Sequence, residues 1–137
     1  MIVVDASVLV SYLVTADVHH PVSHRWVEQQ ILTNTQLVAP ILLLTEVGAA
    51  IARRTGDSEL GRQAVARLQQ MPTLRLVPID QHLGILATQL AMDLRLRGAD
   101  AYYVAIAHSL NIPLVTWDRE HLDRARETIS VYEPHLS

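Results

Sequence analysis

The sequence predicts an α/β fold, a three-layer α/β/α sandwich around a mostly parallel sheet of roughly five strands. Short, mostly apolar runs recur at residues 2–5, 37–39, 74–77, 112–115 and 129–132. Such runs are the pattern of strands buried on both faces. Stretches with apolar residues at helical spacing separate them, and strands that alternate with helices run parallel under a helical cover. In sheets of this kind ligands bind beyond the carboxyl ends of the strands, which decides where chemistry is to be sought.

The elements follow in order. After the first strand, Ser7 to Val14 continues at helical spacing and a polar break covers residues 16–20. Pro21 suits the first turn of a helix running to about Leu32. A turn at 33–36 leads to the second strand, and Pro40 opens an apolar helix to Arg54 that Gly56 ends. Leu60, Ala64 and Leu68 mark the next helix, stopped by Pro72. Asp80 is a suitable N-cap for a helix carrying Leu83, Leu86, Leu90 and Leu94, expected to end near Gly98. A helix with Asp100 in its first turn, the fourth strand, a short helix over 121–126 and a last strand complete a single domain over 1–132. The tail 133–137 contains Pro134 and is expected to fray.

At 137 residues the chain suits one core burying roughly two-thirds of its unfolded surface. The longest apolar run, LVAPILLL, falls well short of the ~20 residues of a membrane span. The amino terminus enters a strand directly, without the basic region of a secretory signal, so a cytoplasmic location is expected. Cysteine is absent, which excludes disulfides and thiolate metal sites. Net charge is −3, unlike a protein that grips duplex DNA with a broad basic face. Every Lys or Arg position is Arg, so any mechanism that needs lysine is excluded.

Four acids stand out. Asp5 closes the first strand, Asp118 follows the fourth, Asp100 lies in a helix's first turn, and Glu46 sits mid-helix in LLLTEVGAA. Asp5 and Asp100 also suit plain N-caps. Glu46 has no capping role: Leu42, Leu43, Ala49 and Ala50 surround it on the helix, with Arg53 the basic residue in reach, a costly place for a lone charge. Four carboxylates at one end of a sheet repel by several kcal/mol at an effective dielectric of about 20. They must shift their pKa values or bind cations. An all-oxygen ligand set selects hard divalent ions, Mg²⁺ or Mn²⁺, the apparatus for attack of water on a phosphodiester. Ser7 and Thr116 flank the acids and suit orienting a bound water or an acid oxygen, or simple cap hydrogen bonding.

The segments MIVVDASVLVSYL, PILLLTEVGAAI and GADAYYVAIAHSLNIPLVTWDREHL resemble the PIN domain, and the small single-domain form is similar to the VapC-type ribonuclease toxins of bacterial toxin–antitoxin pairs. The likeness covers essentially the whole chain. It implies that Asp5, Glu46, Asp100 and Asp118 form the metal site that cleaves RNA, with Ser7 and Thr116 on accessory hydroxyl positions. It also implies a cognate antitoxin as partner. One departure is Gly48, where many members carry Asn.

Arg53, Arg54, Arg95 and Arg97 lead toward the expected crevice and are candidates for holding RNA phosphates, with ordinary helix-surface charge as the equally weighted other reading. Trp117, beside Asp118, is a base-stacking candidate, whereas Tyr102 and Tyr103 are adjacent and cannot both face one way, so one belongs to the core or an interface. His20 and His24 share a helix spacing but lack a third ligand. Glu120 and Asp123 read as surface charge. The abundant Leu, Val and Ala leave apolar surface that a homodimer or a bound antitoxin peptide would cover. The expectation is a divalent-metal-dependent endoribonuclease, with a PIN-like module that binds RNA or protein without cutting, and an RNA-processing nuclease without an antitoxin, as the other readings. A receiver domain and a haloacid-dehalogenase phosphatase both need lysine, and position 7 is Ser rather than the phosphatase's second Asp.

Overall fold

The computed structural model describes residues 1–135. Five strands, β1 (Ile2–Val4), β2 (Leu37–Pro40), β3 (Leu74–Val77), β4 (Leu114–Val115) and β5 (Val131–Tyr132), form one sheet. Their order is β3-β2-β1-β4-β5, and every pairing is parallel. The helices are α1 (Ala6–Leu13), α2 (His20–Leu32), α3 (Leu42–Thr55), α4 (Ser58–Gln69), α5 (Gln81–Leu94), α6 (Gly98–Leu110) and α7 (Arg119–Ala125). Val3, Val4, Leu37, Val38, Ala39, Leu114 and Val115 are fully buried at consecutive positions, so the sheet centre is covered on both faces. β3 departs from the expected burial because it is an edge strand, where Arg75 reaches solvent.

The order of the strands fixes where the site lies. From β1 the chain steps outward through β2 to β3, then returns across the sheet to β4 and β5. Right-handed crossovers therefore put α1 to α4 on one face and α5 to α7 on the other. The helix contacts agree: α1 packs on α2 and α3, α3 on α4, and α5 on α6. Neighbouring β1 and β4 send their chains to opposite faces, which opens a crevice at their carboxyl ends. Asp5 and Asp118 both leave the sheet there.

Local chemistry sets the helix ends. Pro21 sits in the first turn of α2, Asp57 accepts from Glu59 N–H to start α4, and Asp80 accepts from Leu83 N–H to start α5. Gly56 ends α3 in the left-handed region at φ 68°. Two boundaries differ from the sequence reading. α5 stops at Leu94 because Arg95 takes the left-handed position (φ 54°), and Gly98 begins α6 instead of ending α5. Pro40 belongs to β2, not to α3. The N–H groups of Leu37 and Ile41 point to β3, so position 40 points to β1's side, where the β1 pairing has already ended at Val38 and no N–H is needed.

α3 and α4 approach closely at two glycines. A Cβ on Gly61 would lie 2.8 Å from the Gly48 carbonyl oxygen, and one on Gly48 would lie 3.0 Å from Val65. Position 48 thus faces α4, which accounts for the glycine there. Pro134 is buried and the His135 ring lies 5.3 Å from that of Tyr132; the remainder of the expected fraying tail, Leu136 and Ser137, lies outside the described residues. Among the described residues no helix is long and apolar enough to cross a membrane.

Candidate active site

The β1–α1 corner holds the most constrained acid. Asp5 N–H donates to Val115 O (3.0 Å), which extends the β1–β4 register so that Asp5 lies beside Thr116. Its side chain is 5% exposed and caps α1. Oδ2 accepts from Ser7 N–H (3.3 Å), from Ser7 Oγ (2.6 Å) and from Thr116 Oγ1 (2.8 Å). Both hydroxyls also accept from the backbone of the β4 corner, Ser7 Oγ from Trp117 N–H (3.0 Å) and Thr116 Oγ1 from Asp118 N–H (3.0 Å). Each hydroxyl therefore links one corner's acid to the other corner's backbone. Oδ1 of Asp5 is left to face the crevice.

Asp118 begins α7, where Oδ1 accepts from Glu120 N–H (2.9 Å) and His121 N–H (3.3 Å). Asp100 stands in the first turn of α6, half-buried. Burial pushes its carboxyl above the usual carboxylate range; the His121 ring opposes this, and the charges of Asp5 and Asp118 add to it. Glu46 is raised in the same way, by burial first and by Asp5 and Asp100, against the hydrogen bond that Tyr103 donates. That bond, Tyr103 Oη to Glu46 Oε1, measures 2.5 Å. Tyr103 is fully buried on α6, and burial with the charge of Asp5 drives its phenol pKa far up, so it remains a proton donor. The partner of Glu46 is thus this hydroxyl from across the sheet, and Arg53 is exposed.

A buried histidine completes the cluster. His121 on α7 is 0% exposed, its ring edge-on to Tyr103 at 6.3 Å. Nε2 lies 3.0 Å from the Asp100 carbonyl oxygen, and Nδ1 lies 3.7 Å from Asp5 Oδ1 without a hydrogen-bond partner among the described residues. Ligand atoms of Asp5, Asp100 and His121 fall within 4.8 Å of one another. Glu46 and Asp118 are outside that set of three and act on it through charge. A divalent cation fits these residues: two carboxylates and an unpartnered buried nitrogen converge with no lysine to neutralise them.

Beside the cluster runs a cleft of about 660 Å³ lined by Ser7, Glu46, Arg53, Arg54, Arg97 and Trp117, with His19 and Asp17 along its wall. Arg54 pairs with Asp17 at 2.7 Å; burial pushes Asp17 up, and the Arg54 and His19 contacts outweigh it and hold the carboxyl below its usual range. Arg97 lies 4.0 Å from Glu120, and Arg53 carries no ion pair among the described residues. Arg95 does not line the cleft; it caps α5, and its carbonyl accepts from Arg124. One face of Trp117 is stacked on His19 (3.9 Å, 8°), and its Nε1–H donates to Ser23 Oγ (2.7 Å). His20 and His24 face each other at 5.4 Å, His20 bonded to Ser11 O and His24 near Glu28, with no metal cluster formed by them among the described residues. Glu120 and Asp123 are exposed.

A family model described as the PIN domain matches residues 2–127. The chain belongs to the PIN domain family. No curated protein matches it in sequence. Among solved structures it is similar to Mycobacterium tuberculosis VapC20, described as a toxin that cleaves the sarcin–ricin loop (TM-score 0.77, 17% identity, covering 90% of this chain and 94% of that one). It is also similar to FitAcB from Neisseria gonorrhoeae (TM-score 0.72, 22% identity, 99% and 100% covered). A third likeness is to VapBC2 from Rickettsia felis, bound to a promoter DNA fragment (TM-score 0.73, 14% identity, 96% and 98% covered). At these identities the likeness shows the fold.

Within this PIN domain, sequence reasoning missed His121 and His19 and gave Tyr103 no partner. His121 carried one usable signal, its i+3 spacing from Asp118 across the first turn of α7. His19 had none, because its contact with Trp117 joins residues 98 positions apart.

Proposed function

We propose that the protein is a divalent-metal-dependent endoribonuclease, with Asp5, Glu46, Asp100 and Asp118 as the acids of its metal site and Mg²⁺ or Mn²⁺ as cofactor. The observation that carries this reading is the convergence of Asp5, Asp100 and the unpartnered His121 nitrogen at the carboxyl end of β1, with Glu46 and Asp118 adding like charge around them. Such a cluster is unfavourable without a cation. A bound ion supplies charge stabilisation and a more acidic attacking water at a phosphodiester.

The chain's own residues have separable tasks. Ser7 and Thr116 hold one oxygen of Asp5 so that the other is aimed at the crevice. Tyr103 favours ionised Glu46 against its burial. Arg53 and Arg97 line the cleft at positions suited to phosphates of a single RNA strand. Trp117 offers an aromatic surface there once its stacking with His19 is counted. The test is cleavage of RNA by purified protein with Mn²⁺ or Mg²⁺: activity abolished by chelator and by Asp5→Asn or Asp100→Asn supports the reading, and undiminished cleavage by either variant overturns it.

The proposed role is that of a cytoplasmic toxin held by a cognate antitoxin. Its support is the fold shared with VapC20 and with the toxin–antitoxin complexes of Klebsiella pneumoniae and Rickettsia felis. A short adjacent reading frame whose product co-purifies with this chain and blocks cleavage is the expected finding. A homodimer is proposed as well. Ile85 and Met92, exposed and seven residues apart on α5, place two apolar side chains on one outward stripe.

A further inference from the structure

Resting on the metal-nuclease reading above, we infer that His121 Nδ1 is a ligand of the cation held by Asp5 and Asp100, which makes this a mixed nitrogen and oxygen site that prefers Mn²⁺ to Mg²⁺. The side chain is completely buried, and its two nitrogens have unequal surroundings. Nε2 lies 3.0 Å from the Asp100 backbone carbonyl, an acceptor only, so Nε2 carries a hydrogen and donates it. In the neutral ring that assignment leaves a lone pair on Nδ1. Nδ1 points at Asp5 Oδ1 from 3.7 Å, too far for a hydrogen bond, and no other described group reaches it.

With the ring neutral, two lone pairs thus face each other across a short buried gap, an arrangement that costs free energy until a cation, either a proton on Nδ1 or a metal ion, lies between them. A carboxylate oxygen of Asp100 joins them, the ligand atoms of the three residues lying within 4.8 Å of one another. The backbone of Asp100 orients the imidazole while its side chain shares the ligand set, the outer-contact arrangement by which metal-binding histidines are fixed in tautomer and orientation. An imidazole ligand lowers the relative affinity for Mg²⁺, which wants oxygen donors, and raises it for transition ions. The all-oxygen site expected from the four acids would show a smaller preference.

The test uses the full chain, stripped with chelator and loaded with Mn²⁺ alone. Pulsed electron paramagnetic resonance on this form is expected to show nitrogen modulation from a directly bound ring nitrogen, altered when the protein is labelled with ¹⁵N-histidine. Calorimetric titration is expected to give Mn²⁺ the higher affinity, by a margin that narrows about tenfold in His121→Asn. His19→Ala, in the cleft wall, is expected to leave the nitrogen signal intact. The labelled wild-type spectrum reads the bond without any substitution, so an unfolded His121 variant does not remove the test. Mn²⁺ bound without histidine nitrogen modulation overturns this inference and leaves the nuclease reading standing, as does a signal lost in His19→Ala and kept in His121→Asn. No binding of either ion overturns both.

Discussion

The corners after β1 and β4 are built alike and end differently. Each follows a buried parallel strand, each starts a helix, and each places an Asp that caps it. The strand register continues to place Asp5 beside Thr116, and counting two residues on from each gives Ser7 and Asp118, so acid and hydroxyl exchange places between the two segments. The exchange lets each hydroxyl serve the other corner: Thr116 donates to Asp5, and Ser7 accepts from Trp117 N–H. Each acid spends one oxygen on N–H groups of its own helix, but Asp5 is buried and also fixed by two hydroxyl donors, whereas Asp118 stays partly exposed. An offset of two residues thus separates a buried acid suited to gripping an ion from a more exposed one.

The largest expected difference between the corners is in RNA cleavage. Asp5→Asn should lower it by roughly 100-fold or more and Asp118→Asn by less, since only Asp5 shares the ligand set with Asp100 and His121. Equal losses measured at saturating Mn²⁺ would break the distinction. Next come the hydroxyls. Thr116 is fully buried and bonded in both directions, so Thr116→Val should cost about 1–3 kcal/mol in urea unfolding. Ser7→Ala should cost less, because Ser7 is only half-buried and water can replace its hydroxyl.

Glu46 supplies a pH test of the charge around the corners. Glu46 and Asp100 have folded-state pKa values above their unfolded ones, so the folded chain binds the extra protons. Without divalent ions, their contribution to stability falls as pH rises from the ordinary carboxylate range through the raised values, then levels off. Asp17, whose pKa is lowered, contributes stability above its ordinary value that is lost on further acidification. Glu46→Gln keeps an acceptor for Tyr103 and removes one raised group. Its Tm in chelator should therefore gain on the wild type across that window, a gain that added Mn²⁺ reverses. The smallest effect belongs to the cap of α7. Asp118→Asn should change unfolding free energy by only a few tenths of a kcal/mol, since Asn caps as well as Asp, while Asp118→Ala should cost about 1 kcal/mol. A large loss in the Asn variant would mean that the charge of Asp118, not its cap, holds this corner.

By itself the sequence determined the alternation of strands and helices, and with it the parallel sheet, because burial on both faces and helical periodicity are local patterns. It determined equally that Asp5, Asp100 and Asp118 lie at element ends and that Glu46 lies mid-helix, since those positions are counted along one segment. The boundary at Gly98 was misread because a left-handed residue usually signals itself as glycine, and Arg95 took that position instead. Only the tertiary structure decided which groups meet. Tyr103 reaches Glu46 over 57 positions, Thr116 reaches Asp5 over 111, and the His121 ring turns toward Asp5 because α7 lies on the same face as α6 and is tied to the Asp100 carbonyl. Those contacts depend on strand order and on the face each crossover takes. No periodicity within a segment encodes either one.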